Sequence, residues 1–387
     1  MKLPETLNAW RREDGRPGIR NAVAVMAAAD NMNPLLSHIV ARVPGIVALP
    51  AAYGRGQLGE DLEITLDSMA GLAGHPNLAG CLIVAFEPAS ALRIAERVQG
   101  RGESIRVLSF LQSGGMQPCI AAAERLLQEL QTRADAAKQT PVGWHEMTIG
   151  LECGGSDTTS GLFANPALGA LTDELHTRGA TLIFSEPVEC LGGEAALTAR
   201  ACNSEAAEAM LRAIDGYAQI ARTAGVELTG INPTADNIAG GLTTIEEKSL
   251  GAIAKTGHAP IEGCIGYGAR APYTGLWMMD APAAAVENLT ALAAGGCQIT
   301  AFVTGSGNPS GHSIMPTLKI SANRETARVM RDHLDVDLSD LFHGGGGITA
   351  GAERIGAAAA AVIDGAPTAA ERLGFLHSNI SRFGRSV

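Results

Sequence analysis

Apolar runs punctuate the first 110 residues: AVAVMAAA (22–29), GIVAL (45–49), GCLIVAF (80–86) and IRVLSF (105–110). Each is short enough for a buried strand. Helical patterns of apolar positions fall between them, at 61–72, 89–99 and 116–136. Strand alternating with helix predicts an α/β layer structure on a parallel sheet.

The polar stretch QTRADAAKQTPVGWHE (131–146) ends a helix and crosses a break marked by Pro141 and Gly143. It divides the chain into 1–140 and 141–387, two α/β domains. Beyond it, MTIGLE (147–152) reads as a strand and CGGSDTTSG as the loop that follows. Asn165 is placed to cap a helix with Pro166 at its first position, where the missing N–H costs nothing. That helix runs to Gly179, and ATLIFS (180–185) is the next strand, completing a βαβ unit. Further helices are expected at 204–224, 243–256 and 349–364, and strands at 260–265, 275–279 and 298–303. No internal repeat is visible.

Composition narrows the class. Of 387 residues 46% are hydrophobic but only 4% aromatic, and there are 47 glycines. The apolar material is small and aliphatic, suited to close packing of helix on sheet. The net charge is -11, and no basic stripe points to nucleic acid. The N-terminus lacks the apolar segment of a signal peptide, and no run approaches the roughly 20 residues needed to span a bilayer. The expectation is a cytoplasmic protein that binds neither membrane nor nucleic acid. Cysteines at 81, 119, 153, 190, 202, 264 and 297 form no CxxC pair, so neither a zinc ribbon nor a disulfide framework is indicated. Cys81, Cys119, Cys202 and Cys297 read as core thiols.

Ligands of open α/β sheets bind beyond the carboxyl ends of the strands. Cys153, Glu186 and Glu189, Asp280, and the loop that starts at Thr304 all follow predicted strands there. Thiol plus carboxylate suits a divalent ion such as iron or zinc. Each element has a plainer reading. CGGSDTTSG also fits a tight strand-to-helix turn, Glu186 and Glu189 a surface loop, and His312 a solvated loop histidine. Lys248 and Lys255, seven apart, share one face of the 243–256 helix, which a solvated face explains equally well. No GxGxxG turn and no phosphate-loop lysine occurs, so neither NAD nor a nucleotide is expected.

Taken together the motifs resemble the altronate/galactarate dehydratase family. They are DGRPGIRN (14–21), YGRGQLGED (53–61), CGGSDTTSGLFANPALG (153–169), SEPVE (185–189), GGLTTIEEKSLGAIAKTG (240–257), GLWMMDAP (275–282), and TGSGNPSG followed by PTLK (304–319). The resemblance implies a lyase that eliminates a β-substituent from an acidic, sugar-like substrate with iron or another divalent ion such as Mn2+. It implies a Rossmann-like C-terminal domain with a crossover and a metal site, and a preceding domain used in dimer contacts. The small β-clip domain of full-length members is not expected here, which implies a separate small subunit as partner and a homodimer of the large chain. NAWRREDGRPGIRN, SDTTSG, GLWMMD and the closing SRFGRSV look most like the branch that eliminates sulfite from (2R)-3-sulfolactate to give pyruvate. Ala51-Ala52 stands where family members often carry His-Pro, which keeps a sugar-acid dehydratase and a non-catalytic binding subunit open as alternatives.

On that footing Cys153, Glu186 and Glu189 are expected in or beside the metal site, with Asp157 as a further ligand or catalytic group. Lys255 and Lys248 are candidate bases. Arg55, Arg270 and Lys319 are candidate clamps for anionic groups of the substrate. Ser156, Ser160 and Thr304 are candidate partners for its oxygens.

Overall fold

The computed structural model describes every residue except 99, 227, 229–231 and 383. One residue of the expected 89–99 helix and one of SRFGRSV therefore lie outside the described residues. The protein is α/β, built on two parallel sheets. In the first, strands lie in the spatial order Ile46–Leu49, Ala22–Ala27, Leu78–Ala85, Ile105–Ser109, all parallel. Helices Asn33–Arg42, Gly59–Ala73, Pro88–Ala95 and Met116–Ala136 connect and cover them. The inner strands Ala22–Ala27 and Leu78–Ala85 are apolar throughout because helices bury both of their faces, whereas the edge strand Ile105–Ser109 carries Arg106 and is only partly buried.

The second sheet has seven parallel strands. Their spatial order is Ile261–Ile265, Gly275–Met279, Thr181–Phe184, Thr148–Cys153, Ile299–Val303, Thr317–Ser321, Val336–Asp337. Thr148–Cys153 leads through helix Asn165–Thr177 to the strand on one side of it, whereas Ile299–Val303 leads to Thr317–Ser321 on the other. The direction of winding thus reverses between these two neighbours. Their carboxyl ends open the crevice where such sheets bind ligands.

The two bodies interlock. Helix Ala285–Ala294 of the second packs on Gly59–Ala73 of the first. Gly71 permits the close approach, since a Cβ there would sit 2.3 Å from the Ala294 carbonyl oxygen. The ends of the chain cross over as well. Leu7–Arg11 pairs antiparallel with Pro17–Gly18 and Gln139–Val142, and Leu3, Leu7, Ala9 and Ile19 belong to the second core, beside Trp144. The apolar side chains of the first twenty residues therefore join the core of the second body, on the buried positions of a short alternating strand, while Arg12, Arg16 and Ile19 bond to residues 74–77 of the first. Ile380 in turn enters the first core, and the Tyr53 hydroxyl donates to its carbonyl at 2.9 Å. Among the described residues no helix is long and apolar enough to cross a membrane.

Candidate active site

The CGGSDTTSG loop that follows Thr148–Cys153 is laid into the crevice by backbone bonds. Gly154 N–H donates to the Val303 carbonyl (3.1 Å), and Gly305 and Ser306 N–H both donate to that of Gly155 (3.0 and 2.8 Å). The two glycine-rich loops are thereby stitched together over the Phe302 ring. A Cβ on Gly154 would meet that ring at 3.0 Å. A π-helical turn, Ser160–Ala164, joins the loop to helix Asn165–Thr177.

Asp157 caps this helix. Its Oδ1 accepts from Ser160 N–H and Thr159 Oγ1, both at 2.8 Å, and its Oδ2 from Asn323 Nδ2 at 2.7 Å. The Ser160 hydroxyl reciprocates by accepting from Asp157 N–H at 2.9 Å, a capping box. With these bonds made, Asp157 and Ser160 organise the loop. Thr304 is occupied likewise, its Oγ1 accepting from Gly307 N–H at 3.1 Å. Asn165, expected to cap, instead donates to Cys153 Sγ (3.2 Å) and to the Gly251 carbonyl (2.8 Å).

Behind the loop lies a buried cluster of carboxylates and lysines. Glu152, Glu186 and Glu189 meet Lys248, Lys255 and Lys319, each of the six less than 9% exposed. Lys248 Nζ lies 2.8 Å from Glu189 Oε1 and 2.6 Å from Asn232 Oδ1; Lys255 Nζ lies 3.8 Å from Glu186 Oε2. Both lysines face inward, so the solvated-face reading of the 243–256 segment fails. The segment is a helix, Ile245–Ile253, capped by the Thr244 hydroxyl and extended by a 3-10 turn, Ala254–Thr256. It approaches helix Asn165–Thr177 closely because Gly169 lacks a Cβ, which would lie 2.1 Å from the Ala254 carbonyl oxygen.

Glu186 is the one non-glycine residue with positive φ among those described, at 68°. Holding it there costs about 1–2 kcal/mol, and such strain gathers at functional sites. Glu152 accepts from Asn288 Nδ2 and acts on Glu186 as a neighbouring like charge. Two buried carboxyls this close disfavour each other's ionised form. Burial, more than any charge, pushes Glu152 up to about 7, and burial and then Glu152 push Glu186 well above the carboxylate range. Burial opposes the Lys255 ammonium, yet Glu186, Cys153 and Glu152 around it leave it above its ordinary value. Lys319 differs. It is fully buried, its Nζ has no hydrogen-bond partner and sits 3.2 Å above the Phe302 ring centroid, and burial drives it well below the lysine range despite Glu152 and Asp335.

Polar atoms without hydrogen-bond partners concentrate here: Glu152 Oε1, Glu186 Oε2, Glu189 Oε2, Ser185 Oγ, Asn288 Oδ1 and Lys319 Nζ. Leaving buried polar groups unpaired is costly, and so many in one place mark a site built for a polar ligand.

Of the residues expected to coordinate metal, Glu186 is beside Lys255, Glu189 is bound to Lys248, and Cys153 sits with Asn165 and, at 3.5 Å, Ser156. Burial raises the Cys153 thiol. Among the described residues no three His, Cys, Asp or Glu side chains gather as a metal-ligand set. The donor set expected from the resemblance does not fit an ion in this arrangement, because lysine ammoniums occupy the places a cation would take.

Other candidates lie elsewhere. Arg55 is exposed and paired with Glu87 at 3.2 Å in the first body. Arg270 stands near Arg16 and Arg101 in the seam between the bodies. Asp280 does follow its strand to the carboxyl edge, but it lines a separate cleft of about 620 Å³ with Tyr217 and Glu60. His312 is buried in a two-residue strand paired with Leu376–His377, and burial pushes its imidazole down to about 3. Cys202 is exposed, not a core thiol. Glu152, Asn288 and Phe302 escaped the sequence reading.

Comparison with known proteins agrees with this picture. Residues 9–135 match the family described as D-galactarate dehydratase/altronate hydrolase, second domain, and residues 144–386 match D-galactarate/altronate dehydratase, C-terminal. The (2R)-sulfolactate sulfo-lyase subunit beta of Chromohalobacter salexigens is 36% identical over 87% of both chains. The altronate dehydratase of Bacillus subtilis is 32% identical over 83% of this chain and 66% of its own length. That of Escherichia coli is 30% identical over 87% of this chain and 69% of its own.

Proposed function

Because this chain belongs to the D-galactarate/altronate dehydratase family, and so stands among lyases, we propose that it catalyses β-elimination from a 2-hydroxy carboxylate, with (2R)-3-sulfolactate as substrate and pyruvate and sulfite as products. The observation that carries this reading is the enclosed cluster of three carboxyls and three lysines at the switch point of the large sheet. Identity to the sulfo-lyase beta subunit over 87% of both chains supports the choice of substrate. That relative is named as one subunit of an enzyme, which supports a separate partner subunit here, the small β-clip protein.

Elimination needs a base for the α-proton, positive charge for the developing enediolate, and a route for the leaving group. Lys319 is the suited base, since burial disfavours its protonated form. Lys255 and Lys248, beside Glu186 and Glu189, are suited to the substrate carboxylate and α-hydroxyl oxygen, which would displace those glutamates. The α-C–H bond breaks, its electron pair forms the C=C bond, and the C–S bond breaks as sulfite leaves. The resulting enol takes a proton at its terminal carbon to become pyruvate. The Glu152 carboxyl, raised by burial, is suited to give that proton. In a sugar acid the same proton would go to the departing hydroxide.

The test is incubation of the purified chain, alone and with the small subunit, with and without added ferrous iron, against (2R)-3-sulfolactate, altronate and galactarate. Equimolar pyruvate and sulfite from sulfolactate are expected. A 2-keto-3-deoxy acid from a sugar acid, with sulfolactate untouched, would move the chain to the dehydratases. No turnover of any of the three by the complete complex would refute the reading.

A further inference from the structure

Helix Gly59–Ala73 ends against a group of arginines. Arg12 Nε donates to the Pro76 carbonyl (2.6 Å), Arg16 Nη2 to that of Gly74 (2.7 Å) and Arg101 Nη2 to that of Leu78 (2.7 Å). Carbonyls at and beyond a helix C-terminus attract cations, which accounts for the first three arginines. They carry only partial charge, however, and the acid bonded within this group is Asp14, held by Arg16 at 2.6 and 2.9 Å. Arg12 and Arg101 are buried, and the Arg101 Nε has no partner. Desolvation lowers all three of Arg12, Arg101 and Arg270, and like charge adds to it: Arg101 acts on Arg12, Arg16 on Arg101, and Arg16 and Arg101 on Arg270.

Arg270 is the unbalanced member. It is exposed at the mouth of the seam and makes no hydrogen bond and no ion pair to any described residue. It lines a cavity of about 220 Å³ in the seam between the bodies, together with Asp67, Gly71, Arg97, Gly268 and Ala294. Arg97, which lines the same cavity, is held by Asp67 (2.6 Å) and Glu63 (2.9 Å). The cavity is remote from the lysine cluster. The loop that carries Arg270 leaves the carboxyl end of Ile261–Ile265 and returns to the amino end of Gly275–Met279. Arg16 beside it reaches Gly296, which precedes the amino end of Ile299–Val303. A five-residue strand puts about 15 Å between the two edges of the sheet.

We propose that this seam is a second anion site, which takes a small tetrahedral oxyanion of the phosphate or sulfate class between Arg270 and Arg97. Guanidinium forks match such oxyanions, and an arginine flanked by like charges gains most from one. The anion ties Arg97, just beyond helix Pro88–Ala95 of the first body, to the 266–274 loop of the second, so it stabilises the interlocked form. The inference is independent of the elimination chemistry.

The experiment follows thermal unfolding of the full chain against inorganic phosphate, with sodium chloride at matched ionic strength as control. Phosphate should raise the midpoint in a saturable way that chloride does not reproduce. Arg270→Ala should weaken apparent phosphate binding about tenfold, the loss of one charge-assisted contact. Asp67→Asn removes the acid facing the cavity and releases Arg97, so it should tighten phosphate binding, a gain that a purely structural role for Asp67 does not predict. A phosphate response that survives Arg270→Ala would place the anion elsewhere, the lysine cluster included, and overturn the proposal. So would an Asp67→Asn variant that binds phosphate no better than the parent, or an absence of any response beyond that to chloride.

Discussion

Glu152→Gln separates stability from chemistry at the centre of the site. The buried Glu152 carboxyl is raised from 4.5 to about 7, burial being the principal cause. A raised carboxyl means that the folded protein holds this proton more tightly than the unfolded chain. Its contribution is therefore complete below about pH 4.5 and is lost as pH rises to about 7. At 1.36 kcal/mol per pH unit the loss reaches about 3 kcal/mol. A glutamine is always neutral, and its carbonyl can still accept from Asn288. The variant should match the parent at pH 5 and exceed its stability by up to about 3 kcal/mol at pH 8. For a chain of this length that is roughly 4 °C in unfolding midpoint. Turnover should fall steeply, most clearly at pH 5, because glutamine has no acidic proton to give. The assay is denaturant unfolding of both proteins at pH 5 and pH 8. A difference between them that does not change with pH would refute the raised, buried carboxyl.

Further outcomes follow from neighbouring residues. Lys319→Met should abolish turnover yet stabilise the fold: a lysine held below its ordinary value costs stability as pH falls below 10.5, so the gain over the parent should grow from pH 10 to pH 7. Lys248→Met strands Glu189 in the interior and should cost about 3–5 kcal/mol, with much of it restored by adding Glu189→Gln, as a double-mutant cycle in denaturant would show. Gly305→Ala places a Cβ 2.2 Å from the Asp157 carboxyl carbon, so it should break the stitched loops and lower kcat without altering the first body, as peptide-resolved hydrogen exchange would reveal.

What the sequence disclosed follows from burial. Strands covered on both faces read as continuous apolar runs, so Ala22–Ala27, Leu78–Ala85 and Gly275–Met279 were legible within a residue or two. Leu7–Arg11 and Gln139–Val142 are short and half polar, and their pairing across more than 130 residues leaves no local mark. Glu152 was hidden inside MTIGLE because a carboxylate in a strand shows its partners only when Glu186, Lys255 and Asn288 arrive from other elements. Lys319 was legible as a residue of interest in PTLK, but its environment was not. Full burial with no acceptor for its Nζ drives an expected anion clamp well below the lysine range. Arg270 was misplaced because a loop that leaves the carboxyl edge can end at the amino edge, and spacing along the chain does not say where it turns. Asp157 and Ser160 carried the residue types of a ligand site but spend them on each other, as helix caps do.

The most direct test of the central claim is solvent-proton exchange into (2R)-3-sulfolactate by the complete complex in deuterated water, comparing the parent chain with Lys319→Met. The account predicts pyruvate labelled at its methyl carbon, released with one equivalent of sulfite by the parent and absent with the variant. Undiminished sulfite release by Lys319→Met would remove the buried amine from the reaction and contradict the account.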